Sequence, residues 1–476
     1  MRKRRKDIQE RQLQMNLAGE CGEDGCEVGR AVVHRLAHGS VSPLWLSACG
    51  RERTLTLGVM EQIASLANLQ KAFAMVLQNG GSGGVDGMDI KAFRAWGRNN
   101  IAQLQEQLLG GTYRPQPVRC ISIPKPQGGH RLLGIPTLID RMVQQALHQI
   151  LSARYEQVFS ANSYGFRPRR GAHDALLRAG EYVKQGRSWV VDLDLEKFFD
   201  RVNHHRLMWL LSTRIGDERV LALIHRMLKC GMLEGGVLSQ RIEGTPQGGP
   251  LSPLLSNIVL DELDKELERR GYCYVRYADD VKLFATSQWQ AERIKERIIA
   301  FIEGRLKLKV NQSKSRVCRS QELSFLGHRI FSDGTLGLGA GSEERFKAKL
   351  KKITCRRRGI SIVQMVTELR QVIRGWLIYY RGARMKKKME QIEGWLRRRL
   401  RCFRLKQCKR PIGMVRFLLK EGIEKTQAWK QALSGKGWWR LSNAPASNMA
   451  MNKEWFARLG YQSLTVYYEQ VKRFKL

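Results

Sequence analysis

The sequence predicts an α+β protein that becomes all-helical in its last third, and three observations carry this. Trp189 to Leu195 alternates, with Val191, Leu193 and Leu195 on one face and Asp192 and Asp194 on the other, the period of a half-buried strand. Tyr272-Cys-Tyr-Val-Arg-Tyr-Ala-Asp-Asp-Val-Lys-Leu-Phe-Ala285 sets two β-branched and aromatic runs either side of Asp279 and Asp280, which reads as a hairpin with acids at its turn. Beyond Gly341, apolar residues recur every three or four positions. Ile362, Met365/Val366, Leu369, Val372/Ile373, Trp376/Leu377 and Tyr380 make one stripe; Met389, Ile392, Trp395/Leu396, Leu400 and Phe403 make a second.

Taken in order, residues 1–58 show no periodicity: a basic start, then a Gly/Cys segment near Cys21. They are expected to form a poorly ordered extension. From Val59, the spacing of Ile63, Leu66, Leu69, Phe73 and Leu77 predicts a helix, broken by Asn79-Gly-Gly-Ser-Gly-Gly-Val-Asp-Gly87. A second helix is expected over Ile101 to Leu109. A short strand from Val118 to Ile123 leads into Pro124-Lys-Pro-Gln-Gly-Gly-His-Arg-Leu-Leu-Gly-Ile-Pro136, a turn-rich hairpin carrying two cations. Helices run to about Phe159, followed by the loop Ser163-Tyr-Gly-Phe-Arg-Pro168. After the strand at Trp189 comes a helix, and then Gly244-Thr-Pro-Gln-Gly-Gly-Pro-Leu-Ser-Pro-Leu-Leu-Ser-Asn-Ile258 opens another through about Arg269. A helix from Trp289 to Arg305 follows the hairpin. Strand, helix, strand-turn-strand on one half-buried sheet is a split βαβ arrangement.

The chain of 476 residues carries a formal net charge of +39. Residues 331–476 hold 34 Lys+Arg against 10 Asp+Glu, so +24 of that charge lies in under a third of the length. Such an excess raises self-repulsion and has no use in a core, so it points to a polyanionic partner. The polyanion is read as nucleic acid and not a membrane: the one long uncharged run, Gly244 to Leu260, contains three prolines and several polar residues. No secretory signal is visible, because Asp7, Glu10 and Arg11 interrupt the basic start. The ten cysteines show no zinc-knuckle spacing and read as free thiols of a reducing cytoplasm.

Two aspartates side by side at a rigid turn repel each other unless a cation stands between them. A hard cation such as Mg²⁺ takes oxygen ligands and leaves positions for water and phosphate. The blocks Ile123-Pro-Lys, Gly134-Ile-Pro, Asp140-Arg, Ser163-Tyr-Gly-Phe-Arg-Pro, Phe198-Phe-Asp, Pro246-Gln-Gly, Leu251-Ser-Pro-Leu-Leu-Ser-Asn-Ile, Tyr277-Ala-Asp-Asp and Phe325-Leu-Gly occur in this order. From Asn68 to about Leu464 the chain resembles the bacterial group II intron-encoded reverse transcriptase/maturase family. Arg374-Gly-Trp-Leu-Ile-Tyr-Tyr-Arg381 and Lys436-Gly-Trp-Trp-Arg440 resemble that family's thumb and maturase region.

The resemblance implies a right-hand polymerase. Fingers and palm are expected over 59–335, a helical thumb/maturase domain over 336–412, and a basic nucleic-acid-binding tail over 413–476. Two Mg²⁺ ions are expected on Asp194, Asp279 and Asp280, with the carbonyl of Leu195 as a further ligand. Asp194 is preferred to Asp192 because it stands nearest the strand end, at the family's spacing to Phe-Phe-Asp. Lys125 and Arg131 should clamp the incoming deoxynucleoside triphosphate. Phe199 should block a ribose 2′-hydroxyl, and Gln247 should lie over the nascent pair. Lys314, Arg397, Arg398, Arg399 and Arg401 are candidates for nucleic-acid contact.

The expected partners are group II intron RNA, an RNA template with its DNA primer, and target DNA, in the bacterial cytoplasm. No histidine follows His328 and no Cys-x-x-Cys follows it either, so the metal-dependent endonuclease of many relatives is not expected. Priming would then come from elsewhere, for instance a nascent strand at a replication fork. The rival readings are a splicing-only RNA-binding protein with a dead polymerase, and a domesticated or defence-associated reverse transcriptase unlinked to an intron. Intact carboxylates argue against the first, and the maturase-like region against the second.

Overall fold

A computed structural model describes residues 58–124, 129–234, 237–239, 243–245 and 248–473, all within one compact unit, Leu55–Leu476. The expectations for residues 1–57, Lys125 and Gln247 therefore lie outside the described residues.

The first apolar stripe forms two helices, α1 (Val59–Ala64) and α2 (Leu66–Asn79). Ser65 parts them: its hydroxyl accepts from the amide of Asn68 at 3.3 Å and caps α2. Helix α3 (Ile90–Leu109) begins eleven residues before the sequence reading places it. Asp89 caps it, accepting from Ala92 N at 2.8 Å, and its early turns do carry an apolar spacing, Ile90, Phe93 and Trp96, with Phe93 fully buried. Strands β1 (Val118–Pro124) and β2 (His130–Ile135) form the expected antiparallel hairpin, Arg119 facing Ile135 and Pro124 facing His130. Helix α4 (Leu138–Tyr155) follows, capped by Thr137, and then α5 (Ala172–Lys184).

Strand β3 (Trp189–Leu193) leads through α6 (His204–Ser212) and α7 (Glu218–Lys229) to two short strands that the sequence reading lacks, β4 (Met232–Glu234) and β5 (Val237–Ser239). β4 pairs parallel with β1 and antiparallel with β5, extending the first sheet to the order β2-β1-β4-β5. Helix α8 (Ser252–Arg269) then delivers the hairpin β6 (Cys273–Tyr277) and β7 (Asp280–Ala285). Helix α9 (Gln288–Gly304) and strand β8 (Arg316–Arg319) complete the second sheet, ordered β6-β7-β3-β8 with every neighbouring pair antiparallel. Strands β3 and β6 therefore run parallel with β7 between them, which is the split βαβ arrangement.

One face of this sheet is sealed by α9 through Ile294, Ile298 and Ile302. The other carries Val190, Val275 and Phe284 against Ala175, Leu176 and Val183 of α5. Further along that second face stand Asp192 and Asp194.

A two-stranded pair, β9 (His328–Ile330) and β10 (Leu336–Leu338), precedes the helical region. That region comprises α10 (Ser342–Ile353), α11 (Ile362–Tyr379), α12 (Lys386–Gln407), α13 (Pro411–Lys420), α14 (Lys425–Ala432), α15 (Trp438–Leu441), α16 (Pro445–Ala450), α17 (Lys453–Arg458) and α18 (Leu464–Arg473). A single hydrophobic core runs through it from Leu338 to Val471, including Leu369, Leu396, Leu418 and Phe456, so the position 412/413 falls inside a shared core. Several contacts fasten it to the sheet region. His173 Nε2 lies 2.8 Å from the carbonyl of Tyr379, and the Tyr379 hydroxyl donates to Leu326 O at 2.8 Å. The rings of His328 and Tyr380 stand 4.7 Å apart, and Arg384 N donates to Leu336 O at 2.7 Å. Among the described residues no helix is long and apolar enough to cross a membrane.

Candidate active site

Pairing of Tyr277 with Asp280 leaves Ala278 and Asp279 as a two-residue turn, with Ala278 at φ 58°. A side chain other than glycine rarely holds this conformation unless its surroundings impose it. Here they do. Gly165, from the Ser163–Pro168 loop, packs so closely that a Cβ there would lie 2.3 Å from Ala278 N. Arg276, fully buried, donates from Nη1 to Ala278 O at 3.0 Å and to Asn257 Oδ1 at 2.9 Å. Its Nε donates to both oxygens of the equally buried Asp264, at 2.8 and 3.0 Å. Asn257 in turn donates to Gly165 O at 2.9 Å. The turn is thus strapped from below by a charge pair between Arg276 of β6 and Asp264 of α8, and from the side by a glycine. Sequence reasoning singled out the glycine's loop and the asparagine's block but assigned no role to Arg276 or Asp264.

Asp280 and Asp192 share one partner. The ammonium of Lys282, almost wholly buried, pairs with a carboxylate oxygen of each. Burial works against the charge on Lys282, and the two carboxylates together outweigh it, holding the ammonium protonated. For Asp280 burial is the larger influence and raises its pKa above the usual carboxylate range, with Lys282 pulling the other way. Asp194 differs. It lies one residue past β3, where the register that sets Leu193 against Val281 brings it across from Asp280. Its side chain is 45% exposed, and Lys314 Nζ approaches Oδ2 at 3.8 Å. Ser315 Oγ accepts from its amide at 3.1 Å, and Asn311 N donates to its carbonyl at 2.8 Å. A second bond, Glu196 N to Lys309 O at 2.9 Å, completes the bridge to residues 309–311, and neither bond uses the carbonyl of Leu195.

The donor set on this face is oxygen only, which suits a hard divalent cation. Among the described residues, however, no three Asp, Glu, His or Cys side chains close round a single point.

Phe199 sits half-buried in the 3-10 turn Phe198–Asp200, its ring 5.4 Å from Phe198 and edge-on to it. Its carbonyl accepts from Thr245 N at 2.6 Å. Gly248 and Gly249 approach the protein closely: a Cβ on Gly248 would lie 2.4 Å from Gly134 O, and one on Gly249 2.0 Å from Gln144 Oε1. Close approach of this loop to β2 and α4 is what requires them. The backbone of Arg131 pairs with Ile123 in the β1–β2 hairpin, next to the segment holding Lys125.

The arginines of α12 are brought together but largely engaged within the protein. Arg398 Nη2 donates to Trp439 O at 3.1 Å, with its guanidinium 4.1 Å over the Trp439 ring. Arg399 Nε donates to Thr354 Oγ1 at 2.6 Å, and Arg401 Nε to Met451 O at 3.1 Å. Burial lowers the pKa of Arg401 to about 10, with Arg397 adding to the effect. Arg397 itself lies 3.8 Å from Glu393. Helical spacing identifies an outward basic face, but not the chain segments that fold over it.

Residues 123–330 match the family described as "Reverse transcriptase (RNA-dependent DNA polymerase)", and residues 343–420 match "Group II intron, maturase-specific domain". Protein YkfC of Escherichia coli is 35% identical over 286 residues, covering 52% of this chain and 75% of that protein. The group II intron-encoded protein LtrA of Lactococcus lactis subsp. cremoris is 31% identical over 344 residues, covering 57% of this chain and 55% of LtrA. The retron Mx65 reverse transcriptase of Myxococcus xanthus is 29% identical over 245 residues, covering 48% of this chain and 54% of that enzyme. The chain thus spans three quarters of YkfC and about half of the other two. With an aspartate-bearing hairpin on a split βαβ sheet, and a helical region that matches the maturase domain, the chain belongs to the group II intron-encoded reverse transcriptase/maturase family, and its second sheet is the palm of an RNA-directed DNA polymerase.

Proposed function

We propose that the protein extends a DNA primer on an RNA template and also binds the intron RNA that encodes it. In this reading it assists splicing of that RNA and then copies the intron into target DNA by target-primed reverse transcription, in the bacterial cytoplasm. The observation that carries the reading is the register placing Asp194 across from Asp280, beside the strapped turn that bears Asp279.

Asp194, Asp279 and Asp280, with the carbonyl of Leu195, would hold two Mg²⁺ ions, which when bound stabilise the attacking and leaving oxygens of an in-line phosphoryl transfer. Lys282 pairs with two of the four nearby carboxylates, Asp192 and Asp280. Lys314, beside Asp194, is positioned to meet a phosphate. Lys125 and Arg131 would clamp the triphosphate from the β1–β2 hairpin, and Gln247 would lie over the new base pair. Arg397, Arg398, Arg399 and Arg401 hold the basic helical region in shape, and their remaining N–H groups would face RNA.

Purified protein given a DNA primer, an RNA template, deoxynucleoside triphosphates and Mg²⁺ should extend the primer. The same protein should raise the splicing rate of its flanking intron RNA at low Mg²⁺. Splicing assistance without extension would favour the splicing-only reading. Phe199→Ala should raise ribonucleotide over deoxyribonucleotide incorporation by about 10- to 100-fold, since a ring no longer fills the space beside the 2′ carbon. Unchanged sugar selectivity in single-nucleotide assays would return Phe199 to a packing role.

A further inference from the structure

We propose that the cavity between α12, α14 and the α15–α16 segment captures an unpaired base from a bound single strand of nucleic acid. The proposal rests on the reading of the chain as a nucleic-acid enzyme and adds to it a site with a defined ligand chemistry. The cavity measures about 730 Å³, within the range of small-ligand sites and ample for one nucleotide. Its rim is cationic: Arg398, Lys430, Lys436 and Arg440 line it, and no carboxylate does. Three of these lie outside the second apolar stripe; two of the three belong to Lys436-Gly-Trp-Trp-Arg440. Its floor is apolar, with Pro445, Ala446 and Met449. A cationic rim over an apolar floor suits a phosphate joined to a flat, weakly polar ring.

A second observation points to the base itself. Gln431, only 6% exposed, lines the cavity and donates from Nε2 to Ser447 Oγ at 2.6 Å, while its Oε1 has no partner. Turning the amide over does not remove the deficit, because an N–H pair would then be left without an acceptor. A buried amide with one side unmatched is costly, and turning the side chain toward the cavity would bring that side to a nucleobase edge, which offers the complementary donor or acceptor. Asn443, on the wall, supplies a second amide. Met449 is 60% exposed, an apolar and deformable side chain left in solvent where a ring face could cover it.

The strand would continue next door. Arg398 and Asn443 also line a neighbouring cavity of about 660 Å³, which adds Trp439, Asn448 and Asn452. Arg398 stacked on Trp439 forms the partition between the two. A base within a duplex stays in its stack with its edge paired, so the ligand that offers a free base is single-stranded.

The test uses 2-aminopurine, whose emission rises when it leaves a base stack, placed mid-strand in a single-stranded RNA. The same sequence is prepared as single-stranded DNA and as RNA annealed to its complement, and each is titrated into full-length protein. Emission should rise severalfold with the native protein and a single strand, and stay flat with the duplex. Gln431→Leu, which removes the amide at similar volume, and Met449→Glu, which sets a carboxylate at an exposed position of the mouth, should each weaken single-strand binding by about tenfold and remove the rise. Extension of a preformed primer–template serves as the folding control and should stay at the native rate. A rise with RNA alone assigns the cavity to template or intron, and a rise with DNA alone assigns it to target DNA. Native-like affinity and emission in both variants, or an equal rise with duplex, overturns the proposal. A native protein that responds to the single strand yet cannot extend a primer would overturn the polymerase reading and leave the cavity assigned.

Discussion

Asp194→Ala is expected to reduce primer extension on an RNA template by a thousandfold or roughly that order, with RNA affinity nearly unchanged. The carboxylate lies at the strand end across from Asp280, is 45% exposed, and has no buried ion pair to lose, so its removal should not unfold the palm. Single-turnover extension and a filter-binding titration on the same preparation separate the two quantities. The informative control is Asp192→Ala. Asp192 pairs with Lys282 inside the sheet, so its loss leaves a buried ammonium bound to Asp280 alone. That variant should lose stability and retain measurable extension. The opposite pattern, with Asp192 essential and Asp194 dispensable, would exchange their assignments.

The second large effect concerns Arg276. Arg276→Met should cost about 3–5 kcal/mol of stability, because Asp264 is left as an uncompensated charge in a fully buried site. Set against the roughly 5–15 kcal/mol that usually separates folded from unfolded domains, this shifts a denaturation midpoint by a large fraction. Replacing both partners, Arg276→Met with Asp264→Leu, removes the orphaned charge and should recover much of that loss. Extension should not recover with it. Ala278 O and Asn257 Oδ1 still lack their donor, so the φ 58° turn that carries Asp279 and Asp280 loses its strap from below and keeps only the packing of Gly165. Full recovery of both stability and extension in the double variant would show that Arg276 serves the core and not the turn.

How much of this was legible beforehand depended on the range of the interactions. The Asp279–Asp280 turn was readable because the runs that build β6 and β7 flank it directly, and α11 and α12 because their stripes run over five turns or so. Strands β4 and β5 are three residues each, too short to show a period of two. The stripe of α5, Leu176, Ala179 and Val183, could have been found from its spacing alone. The straps of the active site could not. Arg276 meets Asp264 and Asn257 across a chain reversal, and Asn257 meets Gly165 across 92 positions, so composition carries no trace of them. The arginines of α12 show the same limit from the other side. Their spacing revealed a common face, while the carbonyls of Trp439 and Met451 that occupy it come from segments 41 and 50 residues further on.

The junction of palm and helical region has a mechanical consequence. His173, Leu326, His328 and Leu336 on one side grip Tyr379, Tyr380 and Arg384 on the other through ring contacts and backbone carbonyls, at several points from the last residue of α11 into the turn that follows it. A joint riveted at one point pivots; a joint riveted along a line is a weld. For the two halves to swing apart, these contacts would have to break together.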